Sequence, residues 1–187
     1  MKQKIAIQGE LGSYSHLAAN EIYGNSEVIP CKTFDQALSL TKKNKEVKAV
    51  IPIENSIAGR VADVHYLLPK YKLKIIGESF HKVNHCLIIL KGNKLENIKY
   101  IKSHSHAIGQ CHDKINKYKF MPIIETDTAG AAKKLSEEKN MQSAVIASEL
   151  AAKIYDLEVI EKNFEDISGN TTRFLTMSSD NKDFIAI

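Results

Sequence analysis

Residues Lys48-Ala49-Val50-Ile51-Pro52-Ile53-Glu54-Asn55-Ser56 decide the class of fold. From Lys48 to Ile53 the run is short, almost wholly apolar and rich in β-branched side chains, so it reads as a buried strand. It stops at a carboxylate, an amide and a hydroxyl, and a helical pattern follows over roughly 61–68, closed by Pro69. A buried strand with a polar end and a helix behind it is the repeating piece of an α/β protein.

The same pattern recurs on both sides. Towards the amino terminus, 4–8 is a strand and Gly9-Glu10-Leu11-Gly12 a turn. Ser13-Tyr14-Ser15 then open a helix whose apolar positions are Leu17, Ala18, Ala19 and Ile22. Val28 to Cys31 reads as another strand, and Thr33 caps a helix carrying Phe34, Ala37, Leu38 and Leu40. Towards the carboxyl terminus, 73–78 and 83–90 are extended runs that can carry the chain from one lobe to another. Strands at 98–102, 120–125 and 143–147 then alternate with helices at 105–117, 128–138 and 148–155. The expected architecture is therefore α/β with two lobes, each built on a mixed, mostly parallel sheet. Lobe one takes about 1–77 plus 166–187, and lobe two about 78–165. Ligands of such folds lie beyond the carboxyl ends of strands, near helix N-termini, and two lobes add a cleft between them.

Composition narrows the functional classes. Hydrophobic residues make up 43% and charged residues 26% of the 187, the balance of a soluble globular chain with ample core. No apolar run approaches the ~20 residues a membrane helix needs, and Met1-Lys2-Gln3-Lys4 lacks the apolar core of a signal peptide, so the expectation is a cytoplasmic protein without a membrane partner. The net charge of +4 is scattered lysine with no basic stripe, and Trp is absent. That disfavours nucleic acid and suits a small anionic ligand. Cys31, Cys86 and Cys111 are odd in number and lack metal-ligand spacing, as buried thiols would.

The polar stretches gather at strand ends. Ser168-Gly169-Asn170-Thr171-Thr172-Arg173-Phe174-Leu175 sets a glycine turn, hydroxyls and one of the two arginines of the chain at the entrance of a short strand. Hydroxyls with a guanidinium suit gripping an oxyanion or assisting a leaving group; the plainer reading is a strand start with an ion pair. Ser13-Tyr14-Ser15-His16, Glu54-Asn55-Ser56, Ser103-His104-Ser105-His106 and Thr126-Asp127-Thr128 each put hydroxyls or amides beside unpaired backbone N–H groups. Ser103, His106 and Gln110 lie about one turn apart, on a face of the following helix other than the apolar stripe of Ala107, Ile108, Cys111, Ile115 and Tyr118. His104 and His106, two apart on a helix, do not converge on a metal, and no metal or cofactor is expected. The Gly9-x-x-Gly12 spacing matches neither phosphate-loop signature.

Taken together, Ile7-Gln8-Gly9-Glu10-Leu11-Gly12-Ser13-Tyr14-Ser15-His16, Ile51 to Gly59, Ser103-His104-x-x-Ala107-x-x-Gln110-Cys111 and Asn170-x-Thr172-Arg173-Phe174 resemble prephenate dehydratases, in that family's order. Ile146-Ala147-Ser148-Glu149-Leu150-Ala151-Ala152 agrees. The resemblance implies a catalytic domain with a fold like that of periplasmic (type II) solute-binding proteins and an active site between the lobes. It also implies conversion of prephenate to phenylpyruvate on the way to phenylalanine, no cofactor, and homo-oligomers. By the same resemblance Thr172, Glu54 and Asn55 act in catalysis, with Ser103, Gln110, Thr171, Arg173, Ser15 and Ser56 as substrate contacts. Thr172 then hydrogen-bonds the leaving hydroxyl. Glu54, its pKa raised in a dry cleft, or a water held by Glu54 and Asn55, supplies the proton. Arg173 either pairs with a substrate carboxylate or braces its strand.

Glu10 stands where many members carry Pro, and Ser105-His106 replaces a more usual Pro-Gln. Family chains usually continue into an amino-acid-sensing ACT domain, and this sequence stops at Ile187, so that domain is expected to be missing or removed. Arogenate dehydratase is the nearest alternative. A non-aromatising prephenate decarboxylase and a solute-binding module are further ones.

Overall fold

Apolar runs of period two alternate with runs of period 3.6, and the computed structural model, which describes residues 2–24 and 26–180, forms strands and helices accordingly. Two compact units emerge. One comprises the described residues of Met1–Glu10, Tyr14–Lys82 and Asn170–Ile187; the other comprises Leu11–Ser13 and Val83–Gly169.

In the first unit the order is β1 (Lys4–Gln8), α1 (Tyr14–Tyr23), β2 (Glu27–Cys31), α2 (Phe34–Lys43), β3 (Val47–Asn55), β4 (Gly59–Arg60), α3 (Ala62–Tyr71) and β5 (Lys74–Lys82). The second unit holds β6 (Cys86–Leu90), β7 (Tyr100–Ser103), α4 (Ser105–Gln110), α5 (His112–Tyr118), β8 (Met121–Ile124), α6 (Thr128–Glu138), β9 (Ser143–Ala147), α7 (Glu149–Ile154) and β10 (Leu157–Lys162), after which β11 (Thr171–Ser178) returns to the first.

The first sheet runs β2-β1-β3-β11-β5, with β4 folded back on β3. β1 is parallel to β2 and β3, whereas β11 is antiparallel to β3 and β5. Helices cover both faces, which is why β3 is apolar almost throughout. Ala49, Ile51, Ile53, Leu175 and Met177 pack on Ala37 and Leu38 of α2 and Val64 and Leu67 of α3. Ile5, Ile7, Val50 and Phe174 pack on Ala18 and Ala19 of α1.

One irregularity positions the site. Thr172 lies opposite Asn55 and Arg173 opposite Glu54, but Phe174 lies opposite Pro52, so Ile53 is an extra residue in β3. A bulge of this kind turns the side chains beyond it to the other face. Without it, Glu54 would stand beside Thr172; with it, Asn55 does.

The second sheet runs β10-β6-β9-β7-β8 and is also mixed: β7 is parallel to β8 and β9, and β6 is antiparallel to β9 and β10. Every residue of β9 is buried. Val145 and Ala147 meet α6 and α7, while Ala144 and Ile146 meet Ala107, Cys111, Ile115 and Phe164 on the other side.

Two expected helices differ. α3 continues through Pro69 to Tyr71, ending where Lys72 adopts a left-handed conformation at φ 47°. The helix expected over 105–117 breaks at Cys111 (φ −119°, ψ 19°) into α4 and α5. The Asp166 carboxylate accepts from the backbone N–H groups of Asp113 and Lys114 at 2.9 and 3.1 Å. A cap supplied from 53 residues away leaves no local signal.

Candidate active site

Thr172, Asn55 and Asn170 form a hydrogen-bonded cluster in the first unit. Asn55 Oδ1 accepts from the backbone N–H groups of Ile57 and Ala58 at 3.0 and 2.8 Å. Two backbone donors fix which end of the amide is oxygen, so Nδ2 faces the other way. There it donates to Asn170 Oδ1 at 2.5 Å and to Thr172 Oγ1 at 2.9 Å. Thr172 is only 8% exposed and Asn170 2%. Its lone pair engaged by an amide, the Thr172 hydroxyl has its own proton to give. Gly169, at φ +98°, makes the turn into Asn170. The adjoining backbone is pinned twice: Ser56 N–H donates to the Thr171 carbonyl at 2.9 Å, and Thr171 N–H donates to Ser56 Oγ at 2.9 Å. Ser56 and Thr171 thus hold the strand entrance.

Glu54 is exposed, so the dry surroundings expected for it are not found. Its neighbour Asn55 takes the place beside Thr172 because of the Ile53 bulge. Arg173 points to the opposite face from Thr172 and braces β11 to β5: Nε and Nη2 both donate to Glu78 Oε2, at 2.9 and 2.6 Å. Both partners are more than 40% exposed, which limits such a pair to about 1 kcal/mol or less. Arg173→Ala is therefore expected to lower stability by no more than about 1 kcal/mol in thermal unfolding and to leave turnover within a few-fold of the parent. A loss of turnover as large as that on removing the Thr172 hydroxyl would move Arg173 from brace to substrate contact.

In the second unit Ser103 is fully buried at the end of β7, not on the helix face, and its hydroxyl donates to the Ile146 carbonyl at 2.7 Å, tying β7 to β9. Gln110, at the end of α4, receives a hydrogen bond through Oε1 from His85 Nε2 at 2.9 Å. His85 is 3% exposed, and burial holds its pKa below the ordinary imidazole value of 6.5. His104 is likewise depressed, by burial and then by His106; its Nδ1 accepts from the His106 N–H, capping α4. A buried imidazole that resists protonation gives the unfolded chain the greater proton uptake. Folding stability is accordingly expected to fall as pH drops below about 6.5, towards the depressed folded values. Thermal unfolding between pH 7.5 and 5.5 reads this, and the slope should shrink when His85 is replaced by Leu.

Ser15 is buried on α1. A cavity of about 380 Å³ lies among Gln8, Thr33, Asp63 and Tyr66, and none of the expected site residues lines it.

The model of the prephenate dehydratase family matches residues 5–182. The chain belongs to that family. Its relatives include a bifunctional N-acyl-homoserine lactone acylase/prephenate dehydratase of Komagataeibacter europaeus, 39% identical over 93% of this chain and 62% of that protein. Arogenate dehydratase/prephenate dehydratase 2 of Arabidopsis thaliana is 38% identical over 94% of this chain and 46% of its own length. Among solved structures, prephenate dehydratase from Arthrobacter aurescens, in complex with L-Phe, superposes with a TM-score of 0.87 at 26% identity, covering 95% of this chain and 61% of that one. The chain spans about half the length of most of the curated relatives it matches.

Asn170, His85 and Glu165 were not among the expected site residues; Asn170 meets Asn55, and His85, itself held by Glu165, meets Gln110. Asn170 stood inside a quoted motif and could have been singled out as an amide before a hydroxyl pair. His85 and Glu165 carried no local signal: their contacts span 25 and 80 residues. No helix among the described residues is long and apolar enough to cross a membrane.

Proposed function

We propose that the chain catalyses the decarboxylating dehydration of prephenate to phenylpyruvate. The observation that carries this reading is the Thr172 hydroxyl, which accepts a hydrogen bond from Asn55 Nδ2 and keeps its own proton to donate to a substrate oxygen. In the reaction the ring carboxylate leaves as carbon dioxide. Its bonding pair enters the ring, the ring C–O bond breaks, and the hydroxyl takes one proton and departs as water. Aromatisation drives the step, so the protein's task is to favour charge where it develops. Thr172 donates a hydrogen bond to the departing oxygen as negative charge builds on it. A threonine hydroxyl is too weak an acid to lose its proton for good, so the net proton comes from water. Gln110, with amide donors on a short helix, is the proposed contact to the side-chain carboxylate of the substrate. Ser103, with its proton engaged by Ile146, supports that strand end.

Arogenate, the amino analogue of prephenate, is the second substrate to consider, because several of the similar relatives are named as arogenate dehydratases. Purified protein supplied with each substrate separately, at equal concentration, tests the preference. The reading expects phenylpyruvate to form faster from prephenate than phenylalanine from arogenate; the reverse order assigns the chain to arogenate. The acylase activity named for one relative requires an activated nucleophile, and an amide donor such as Asn55 cannot take a proton from Thr172.

A further inference from the structure

Gln110 is held in one orientation by an arrangement that reaches well beyond its own helix. Its Oε1 lies 2.9 Å from His85 Nε2. The imidazole is buried, which favours the neutral ring with a single N–H, and with an amide oxygen facing Nε2 that proton sits on Nε2. An amide whose oxygen faces the imidazole turns its NH₂ group the other way.

Both partners of this contact are themselves anchored by three consecutive residues. Phe164 N–H donates to the His85 carbonyl at 2.8 Å. The Glu165 carboxylate, 8% exposed, accepts from His85 N–H at 2.8 Å. Asp166 N–H donates to the Gln110 carbonyl at 2.8 Å. One short segment therefore fixes the backbone of the donor residue and of the acceptor residue, and Phe164, fully buried, anchors the segment in the core beside Cys111 and Ile115. Burying a carboxylate is costly unless it is hydrogen-bonded, and among the described residues the Glu165 carboxylate meets the His85 N–H.

We infer that His85 is a positioning residue: it turns the Gln110 amide so that its NH₂ group faces the substrate's carboxylate, and Phe164-Glu165-Asp166 set the distance between the two. This rests on the reading of Gln110 as the substrate contact. The role acts on binding, because a carboxylate remote from the breaking bonds is held alike in ground and transition states.

The test is a double-mutant cycle on prephenate turnover, with His85→Leu, Gln110→Ala and the pair combined, each variant first checked for cooperative thermal unfolding. His85→Leu should raise KM by up to roughly tenfold, the worth of one buried hydrogen bond, with kcat within about twofold. In the Gln110→Ala background it should cost nothing more, because the amide it orients is gone. His85→Gln, which keeps an N–H donor, should recover most of the loss and also serves if His85→Leu fails to fold. Losses that add in the double variant, or a fall in kcat with KM unchanged, overturn the inference. A parent chain inactive on both prephenate and arogenate overturns the reading of the site and this inference with it; an active parent with additive losses overturns the inference alone.

Discussion

Thr172→Ala is expected to lower phenylpyruvate formation from prephenate by on the order of 10²-fold or more, with the effect in kcat. The size follows from the role proposed for the hydroxyl: a donor aimed at developing charge is worth far more in the transition state than in the ground state. The structure leaves this hydroxyl able to donate. Asn55 Nδ2 occupies its lone pair at 2.9 Å, and the two backbone N–H groups on Asn55 Oδ1 forbid the amide to turn round. Thr172→Ser keeps the oxygen and should retain most of the turnover. Asn55→Asp is the sharper companion: a carboxylate would accept the Thr172 proton and withdraw it from the substrate, so it should lose nearly as much as Thr172→Ala. Steady-state assay of the purified variants measures each, and a near-parental rate for Thr172→Ala would remove the hydroxyl from the chemistry.

Gly12→Ala is expected to cost about 3 kcal/mol of stability. Gly12 sits at φ +88°, where a side chain is strained by about 1–2 kcal/mol. An added Cβ would also stand 2.6 Å from Ala151 Cα and 3.1 Å from Ala151 N, and backbone atoms cannot swing aside. Overpacking of this kind adds about 1–3 kcal/mol. The loop has little freedom to retreat, since the Leu11 carbonyl accepts from the Tyr155 hydroxyl at 2.9 Å and the Gly12 carbonyl from the Ser148 hydroxyl. Ser148 also caps α7 through the Ala151 N–H, so the same helix end both receives the loop and limits it. At this chain length a loss of that size lowers the thermal midpoint by roughly 10 °C. An unchanged midpoint would mean that the loop has another way to lie.

Much of this fold was legible because its signals are local. The buried run of β3, the Thr33 cap with its 3.1 Å bond to the Gln36 N–H, and the all-buried β9 each follow from period and composition. The candidate site was legible only in part. Thr172 and Asn55 stood out as polar residues at strand ends. That Asn55 rather than Glu54 meets Thr172 depends on one extra residue in β3, and a bulge changes the facing of side chains without changing the pattern that announces a strand. Ser103 looked like a helix-face residue because the spacing to His106 and Gln110 was counted through a strand end; the hydroxyl instead ties two strands together. The break at Cys111 and the His85 contact to Gln110 depend on Glu165 and Asp166, remote in sequence, and no window of residues around Gln110 contains them.

The central claim, that this cluster helps a ring shed its hydroxyl while carbon dioxide leaves, meets its most direct test in the product. Purified protein incubated with prephenate, followed by the absorbance of phenylpyruvate in alkali and by carbon dioxide release, should give both in a one-to-one ratio. Carbon dioxide without phenylpyruvate, or neither product, would contradict it.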